Sequence, residues 1–138
     1  MGNSTLAVVV LSLGTALVAG CEATKDAPNL ATLDVGFDWS KTRRCTTASP
    51  EFTVGGAPAG SATLRFRMTD LDNPSWNHGG GDVKYTGPRI EGGALTGYNG
   101  PCPPGGTSHR YEFVVDALNA AGDTVVARGK IMRQFPPK

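Results

Sequence analysis

The sequence lacks the features by which helical proteins and nucleic-acid-binding proteins are usually recognised. No stretch of ten residues keeps the apolar spacing of an amphipathic helix, and no block of like charge occurs. Thirteen basic and twelve acidic residues leave a net charge of +1, so the chain lacks the excess of positive charge that attracts nucleic acid. Nineteen glycines and ten prolines instead favour many turns and little helix. We therefore expect an all-β domain and no nucleic-acid partner.

The common signatures of catalysis are also missing. The chain contains no Gly-x-Ser-x-Gly, no phosphate-binding Gly-x-x-x-x-Gly-Lys-Ser/Thr loop and no His-Glu-x-x-His. Asp70 and Asp72 stand two residues apart in one turn, where a carboxylate pair rarely flanks a sugar. Together with the two histidines they are chemically able to ligate a metal, but their spacing is not distinctive. We expect no enzymatic activity, no cofactor and no metal.

No charged side chain precedes Glu22, and residues 6–20 are fifteen uncharged, mostly apolar residues. A bilayer span needs about 20 residues, so this run better matches the apolar part of a secretion signal. It ends in Val18-Ala19-Gly20-Cys21, which resembles the lipobox of bacterial lipoproteins, where a peptidase cuts before a cysteine that carries diacylglycerol. The first five residues lack the usual Lys or Arg, and plain secretion or an uncleaved anchor remain alternatives.

The chain is thus predicted to be a lipid-anchored protein of the bacterial cell envelope, with secretion as the second choice. Residues 1–20 would be the signal peptide and Cys21 the lipidated residue. If the host is Gram-negative, Glu22 favours the periplasmic side of the outer membrane. The polar, small residues that follow predict a flexible tether over 21–32. The domain proper would then span 33–138.

Cysteine is scarce, and its use follows from the compartment. If Cys21 is lipidated, Cys45 and Cys102 remain as an even pair in an oxidising space. We expect a disulfide between them, closing a long loop, whereas two unpaired buried thiols are the alternative.

Short runs of alternating apolar and polar residues predict the strands. The clearest is 62–69, in which Leu64, Phe66 and Met68 point one way and the polar residues between them the other. Further strands are predicted at 33–37, near Phe52 and Val54, near Val83 and Tyr85, at 111–118 and at 124–132, the last two joined by a hairpin turn. Strands at this spacing with glycine-rich links indicate a β-sandwich or barrel.

Three clusters are candidates for function, and they contain both histidines of the chain. They are Asp70-Leu71-Asp72-Asn73-Pro74, then Trp76-Asn77-His78, and then residues 100–111, GPCPPGGTSHRY. Taken singly, each has an ordinary explanation, because Asp and Asn beside Pro are common turn formers and a lone loop histidine is usually solvated.

In this order the clusters resemble the motifs of the phosphatidylethanolamine-binding protein family, in particular its short bacterial branch. The family pattern is Asp-x-Asp-x-Pro, Trp-x-His, and Gly-Pro-Cys-Pro-Pro-Gly followed by His-Arg-Tyr. The resemblance runs from Cys45 to Leu118. The chain departs from the pattern at Gly79-Gly80-Gly81, has no Asn-Ile-Pro afterwards, and ends 27 residues after Tyr111. These departures indicate a compact variant with a shallower pocket, or a variant in which the pocket has decayed.

The resemblance implies an antiparallel β-sandwich of that family's type, with a non-catalytic pocket for a small anion or a phospholipid head group. Imidazoles and a phenol donate hydrogen bonds to anion oxygens, a carboxylate orients a histidine, and prolines keep the loop rigid. The ligand-binding residues implied are Asp70, Asp72, His78, Pro103, Pro104, His109 and Tyr111.

An immunoglobulin-like sandwich, serving as a structural or protein-interaction module at the cell envelope, is the competing interpretation. It accounts for the strand and hairpin of residues 111–123 but leaves both histidine clusters without a role. The two interpretations differ in geometry, because only the binding protein requires Asp70, His78 and His109 to meet in one small cavity.

Overall fold

The computed structural model describes residues 23–137, which form strands and the loops between them. No helix occurs in this range, which confirms the all-β expectation. The strands are β1 (Lys25–Thr32), β2 (Asp34–Phe37), β3 (Phe52–Gly55), β4 (Thr63–Asp70), β5 (Asn77–Lys84), β6 (Arg89–Ile90), β7 (Gly97–Tyr98), β8 (His109–Leu118) and β9 (Thr124–Phe135).

The strands form two sheets, one of six strands in the order β1-β9-β8-β4-β5-β7 and one of three in the order β2-β3-β6. All pairs are antiparallel except β1 with β9, which is parallel. Phe52 of the small sheet packs against Phe66 and Phe113 of the large one, with ring centroids 4.8 Å apart in both pairs. Aromatic rings at this separation bury much apolar area between the sheets and hold them together.

The predicted alternation of β4 is confirmed. Leu64, Phe66 and Met68 are buried, whereas Arg65 and Arg67 lie on the outer face. On that face Arg67 forms an ion pair with Asp116, with 2.8 Å between Nη2 and Oδ2. This ion pair connects the neighbouring strands β4 and β8. The alternation appears because one face of the sheet packs on the core and the other meets solvent.

The tether prediction for 21–32 is wrong over most of its length. Lys25–Thr32 is an edge strand, paired in register from Lys25↔Thr124 to Thr32↔Arg128 with one irregularity between Asp26 and Ala31. Backbone hydrogen bonds and the Arg128–Asp26 ion pair, at 2.9 Å, fix it. An edge strand with one solvated face needs few apolar residues, so its polar composition resembled a linker. The folded domain therefore includes β1 and does not start at residue 33.

The predicted signal peptide, the predicted lipidation site Cys21 and Glu22 lie outside the described residues. Within 23–137, no helix is long and apolar enough to cross a membrane.

The glycine-rich stretch after His78, where the chain departs from the family pattern, belongs to a strand. It continues β5, because Gly79 and Gly80 pair with β7 and Gly81 with Phe66 of β4. Glycines carry no side chain to show the two-residue period, so the sequence does not reveal this strand.

The disulfide between Cys45 and Cys102 is confirmed, with Cα atoms 4.6 Å apart. Two backbone hydrogen bonds run beside it, from Cys45 N to Pro101 O at 2.8 Å and from Gly100 N to Thr46 O at 2.7 Å. The bridge therefore fixes the Pro/Gly loop before β8 to the loop that follows β2.

Candidate functional site

A cavity of about 430 Å³ opens at one end of the large sheet, where β4 ends and β5 and β8 begin. Because these strands are neighbours in the sheet, their ends bring together three segments that are far apart in the sequence. The lining residues are Asp70, Asp72, Asn73, Trp76, His78, Cys102, Pro104 and His109.

Asp70, the last residue of β4, is buried at the centre of this cavity wall. Its Oδ1 accepts hydrogen bonds from the backbone N–H groups of Asp72, at 2.9 Å, and Asn73, at 3.0 Å. This arrangement is the local turn that an aspartate forms with its own following backbone. Its Oδ2 is left to accept a hydrogen bond from His109 Nδ1 at 2.7 Å.

The Asp70 carboxyl is ionised at neutral pH. Burial raises its pKa, but the hydrogen bonds from His109 and from the two backbone N–H groups together outweigh burial and hold the pKa below its ordinary value. The carboxylate in turn fixes the orientation of the His109 ring. With Nδ1 engaged by Asp70, Nε2 is the ring nitrogen left for a ligand.

His78, the second residue of β5, is buried beside the same carboxylate. Its Nδ1 lies 2.7 Å from the carbonyl oxygen of Asn99, and because a carbonyl only accepts, Nδ1 carries a proton. Its Nε2 lies 4.0 Å from Asp70 Oδ2. One carboxylate thus stands between two imidazoles whose orientations are both set by hydrogen bonds.

Tyr111 lies beneath the cavity rather than in its wall. Its ring is fully buried and meets the His78 ring edge-on, with centroids 5.3 Å apart. Among the described residues, no group forms a hydrogen bond of acceptable geometry with its hydroxyl. Burial, and secondarily the negative charge of Asp70, raise the pKa of the Tyr111 hydroxyl. The phenol therefore stays protonated and supports His78 from below.

Pro103 and Pro104, predicted together, have different positions. Pro104 lines the cavity. Pro103 is buried outside the cavity wall, and its carbonyl oxygen accepts a hydrogen bond from the guanidinium of Arg44. The Pro103 backbone therefore anchors the loop, while Pro104 shapes the wall.

Asp72 is at the rim and is already paired. Its carboxylate accepts hydrogen bonds from the guanidinium Nη2 of Arg110 at 2.7 Å and from the Arg110 backbone N–H at 2.7 Å. These bonds lower the pKa of Asp72 to about 2. Its charge is thus largely compensated by Arg110, and it ties the turn after β4 to the start of β8.

Three wall residues were not among the predicted ligand-binding residues, namely Asn73, Trp76 and Cys102, of which Cys102 was predicted only as a disulfide partner. Trp76 is 59% exposed, so a large apolar ring stands at the mouth of the cavity. Trp76 lies two residues before His78 in the sequence, and this position could have indicated it as a wall residue. Cys102 is placed in the wall by its disulfide. Among the described residues, no group of three or more His, Cys, Asp or Glu side chains is arranged to hold a metal ion.

We predict that the protein loses stability in acid through this site. The folded-state pKa values of Asp70 and Asp72 lie below the ordinary 3.8, so their contribution is fully present above pH 4 and is lost as pH falls toward 2. Urea unfolding at pH 5 and pH 2.5 measures this loss. Asp70→Asn should make it smaller, whereas the exposed control Asp34→Asn should leave it unchanged. An identical loss in both variants would contradict the assignment to Asp70.

Comparison with known proteins agrees with this architecture. The family model described as phosphatidylethanolamine-binding protein matches residues 77–135, which include β5, the Pro/Gly loop and β8. The chain shares its fold with YbcL of Escherichia coli, whose structure is described as a new member of the mammalian PEBP family. That match has 20% identity and a TM-score of 0.54, covering 78% of this chain and 100% of YbcL.

A second solved structure, a putative phosphatidylethanolamine-binding protein homologue from Chlamydia trachomatis, matches with 19% identity and a TM-score of 0.52. This match covers 80% of this chain and 99% of that one. No curated protein matches. The matched motif region and the shared all-β fold support the resemblance to the phosphatidylethanolamine-binding protein family and favour its fold over an immunoglobulin-like one.

Proposed function

We propose that the cavity around Asp70 binds a small anion, such as phosphate or a phosphorylated head group, without chemical turnover. The observation that carries the proposal is the meeting of Asp70 with both histidines of the chain in one cavity. Three residues from three separate sequence motifs converge there, although each motif alone has an ordinary structural explanation.

The hydrogen bonds around the cavity suit an anion when the histidines are charged. His109 presents Nε2 while Asp70 holds its Nδ1 at 2.7 Å, and an imidazolium donates from both nitrogens. Because Asp70 stays ionised, it repels a bound anion, so the attraction has to come from positively charged imidazoles. Protonation of the imidazoles therefore decides whether the cavity attracts an anion.

Absence of turnover is part of the proposal. The cysteine in the cavity wall, Cys102, is held in a disulfide and offers no thiolate nucleophile. The Asp70 carboxylate already accepts hydrogen bonds from the backbone N–H groups of Asp72 and Asn73 and from His109 Nδ1. Binding needs only positioned donors, which these groups supply.

Titration calorimetry with phosphate and with phosphoethanolamine tests the proposal. Affinity should be higher at pH 5.5 than at pH 8, because an imidazolium donates from both ring nitrogens whereas a neutral imidazole donates from only one. His109→Ala should weaken binding at both pH values by about 1.5–3 kcal/mol, the usual effect of losing a hydrogen bond to a charged group. Asp70→Asn should change the affinity, because it removes the negative charge beside the anion and alters the acceptor that orients His109.

The matched control is Asp82→Asn, which removes a carboxylate of β5 that is paired with Arg65 at 2.9 Å and lies outside the cavity. It should leave affinity and its pH dependence unchanged. Equal affinity in the wild type and in His109→Ala would refute the site.

We further propose that the protein is exported and anchored by a lipid on Cys21. The disulfide supports export, since such bonds persist in oxidising compartments. Cells supplied with a palmitate analogue should label the wild-type protein, whereas Cys21→Ser should give an unlabelled, unprocessed precursor. An unlabelled and fully soluble wild-type protein would contradict the anchor.

The placement of β1 bears on the source of the ligand. Lys25 pairs with Thr124 at the hairpin end of the sheet, whereas His109 pairs with Phe135 at the other end. The ten residues of β8 span about 30 Å between these ends, at the usual rise of 3.2–3.4 Å per residue. A lipid on Cys21 would hold the domain by the end away from the cavity, which favours a soluble anion over a head group of the anchoring bilayer.

A further inference from the structure

A second cavity, of about 720 Å³, lies between the loop that follows β2 and the end of β9. It shares no lining residue with the cavity around Asp70. Thr46 lines the second cavity and Cys102 the first, so the disulfide-linked loops separate the two. Its volume is within the range of roughly 300–1,000 Å³ that is common for small-molecule sites.

Three cations line this second cavity, namely Lys41, Arg43 and Arg133. None of them forms an ion pair with a described residue; Arg133 donates only to the backbone carbonyl of Met132, at 3.3 Å. Most arginines elsewhere in residues 23–137 do pair with a carboxylate, and these are Arg65, Arg67, Arg89, Arg110 and Arg128. Of the three described arginines without a carboxylate partner, Arg43 and Arg133 line this cavity, and Arg44 instead donates to the carbonyl oxygen of Pro103.

The two acidic residues of this cavity neutralise its three cations only in part. Glu51 pairs with Arg89 at 2.8 Å, outside the cavity lining. Asp38 accepts hydrogen bonds from the hydroxyl and the backbone N–H of Ser40, which lower its pKa, and the positive charge of Lys41 lowers that pKa further. Both carboxylates have other hydrogen-bond donors, and three positive charges face two negative ones.

The floor of the second cavity is apolar, whereas its rim carries the charged residues. Phe37 and Phe52 form part of it, and both belong to the aromatic core. Thr46 and Thr53 add hydroxyl groups to the wall. Lys41, Arg43 and Arg133 are themselves exposed, so an anion can reach all three directly from solvent.

From this arrangement we propose that the second cavity is a binding site for a compact polyanion, a molecule that carries two or more phosphate or carboxylate groups. One such ligand can pair with Lys41, Arg43 and Arg133 together. Arg43 and Arg133 offer the planar guanidinium that matches phosphate and carboxylate oxygens in pairs. This site does not depend on the function proposed for the cavity around Asp70.

Titration calorimetry with tripolyphosphate at constant ionic strength tests the proposal. Arg43→Gln/Arg133→Gln should bind at least about tenfold more weakly than the wild type, since each lost charged contact is worth roughly a factor of ten. The control Lys25→Gln/Lys84→Gln removes the same charge from exposed residues at the opposite end of the sheet. It should bind as the wild type does.

Three outcomes would overturn the proposal. Equal weakening in both double variants would show only non-specific attraction to net charge, and no binding by the wild type would remove the site. His109→Ala should retain full tripolyphosphate affinity. Loss of affinity in that variant would mean that tripolyphosphate occupies the cavity around Asp70 instead.

Discussion

Replacing both cysteines, in Cys45→Ala/Cys102→Ala, is expected to lower the free energy of unfolding by about 2–5 kcal/mol. The bridge joins residues 57 positions apart, and in the chain-entropy model a closed loop of this length is worth about 4 kcal/mol. A domain of this size has a modest core, so the loss is a large part of its stability. Urea unfolding of the oxidised wild type and of the variant measures it.

The same variant should also affect the candidate site, because Cys102 is part of the cavity wall and its loop leads directly into His109. Thr47→Ala, an exposed change in the opposing loop, is the matched control and should be close to neutral. Thiol titration of the non-reduced domain should find neither Cys45 nor Cys102 free. Two free thiols, or a loss below about 1 kcal/mol, would contradict the role assigned to the bridge.

Gly79→Ala should be the most damaging single methyl addition near the site. Gly79 has a φ of +65°, a backbone conformation that L-residues rarely adopt. A Cβ added to Gly79 would also lie 2.0 Å from the backbone oxygen of Gly97. The added carbon must push β5 and β7 apart. We expect a loss of about 2–4 kcal/mol from overpacking and backbone strain together.

Gly60→Ala separates the two causes, since Gly60 also has a positive φ, +87°, but an added Cβ there meets no atom within 4 Å. Its cost should be about 1–2 kcal/mol, from the backbone alone. Because β7 leads to Asn99, whose carbonyl holds His78, Gly79→Ala should also disturb the His78 ring. Urea unfolding measures the loss of stability in both variants. NMR of the histidine rings measures the disturbance of His78. Equal costs for the two variants would contradict the close approach of β5 to β7.

The parts of the fold that the sequence predicts are those in which side chains alternate between core and solvent. The alternation of Leu64, Phe66 and Met68 and the hairpin between β8 and β9 are of this kind. β1 was missed because an edge strand needs little apolar surface. The glycines of β5 carry no side chains, and β6 and β7, each two residues long, are too short to show a period.

For the candidate site, family resemblance indicated the residues, but not which of them lie in the cavity wall and which are buried beneath it. His109 and Tyr111 are two residues apart on β8, so they share one face of the sheet. Two residues along a strand correspond to about 7 Å, which places Tyr111 below the cavity floor while His109 reaches the wall. Which of two neighbouring prolines lines the cavity depends on the loop conformation, and no local pattern predicts it.

Nitrogen NMR of the imidazole rings during a phosphate titration at pH 5.5 is the most direct test of anion binding at Asp70. Both histidines should respond with one saturable curve, with the largest change at His109 Nε2, and phosphoethanolamine should give the same pattern. His109→Ala should abolish or strongly weaken the His78 response. If neither ring nitrogen changes at saturating concentrations of phosphate or phosphoethanolamine, the cavity is not an anion site.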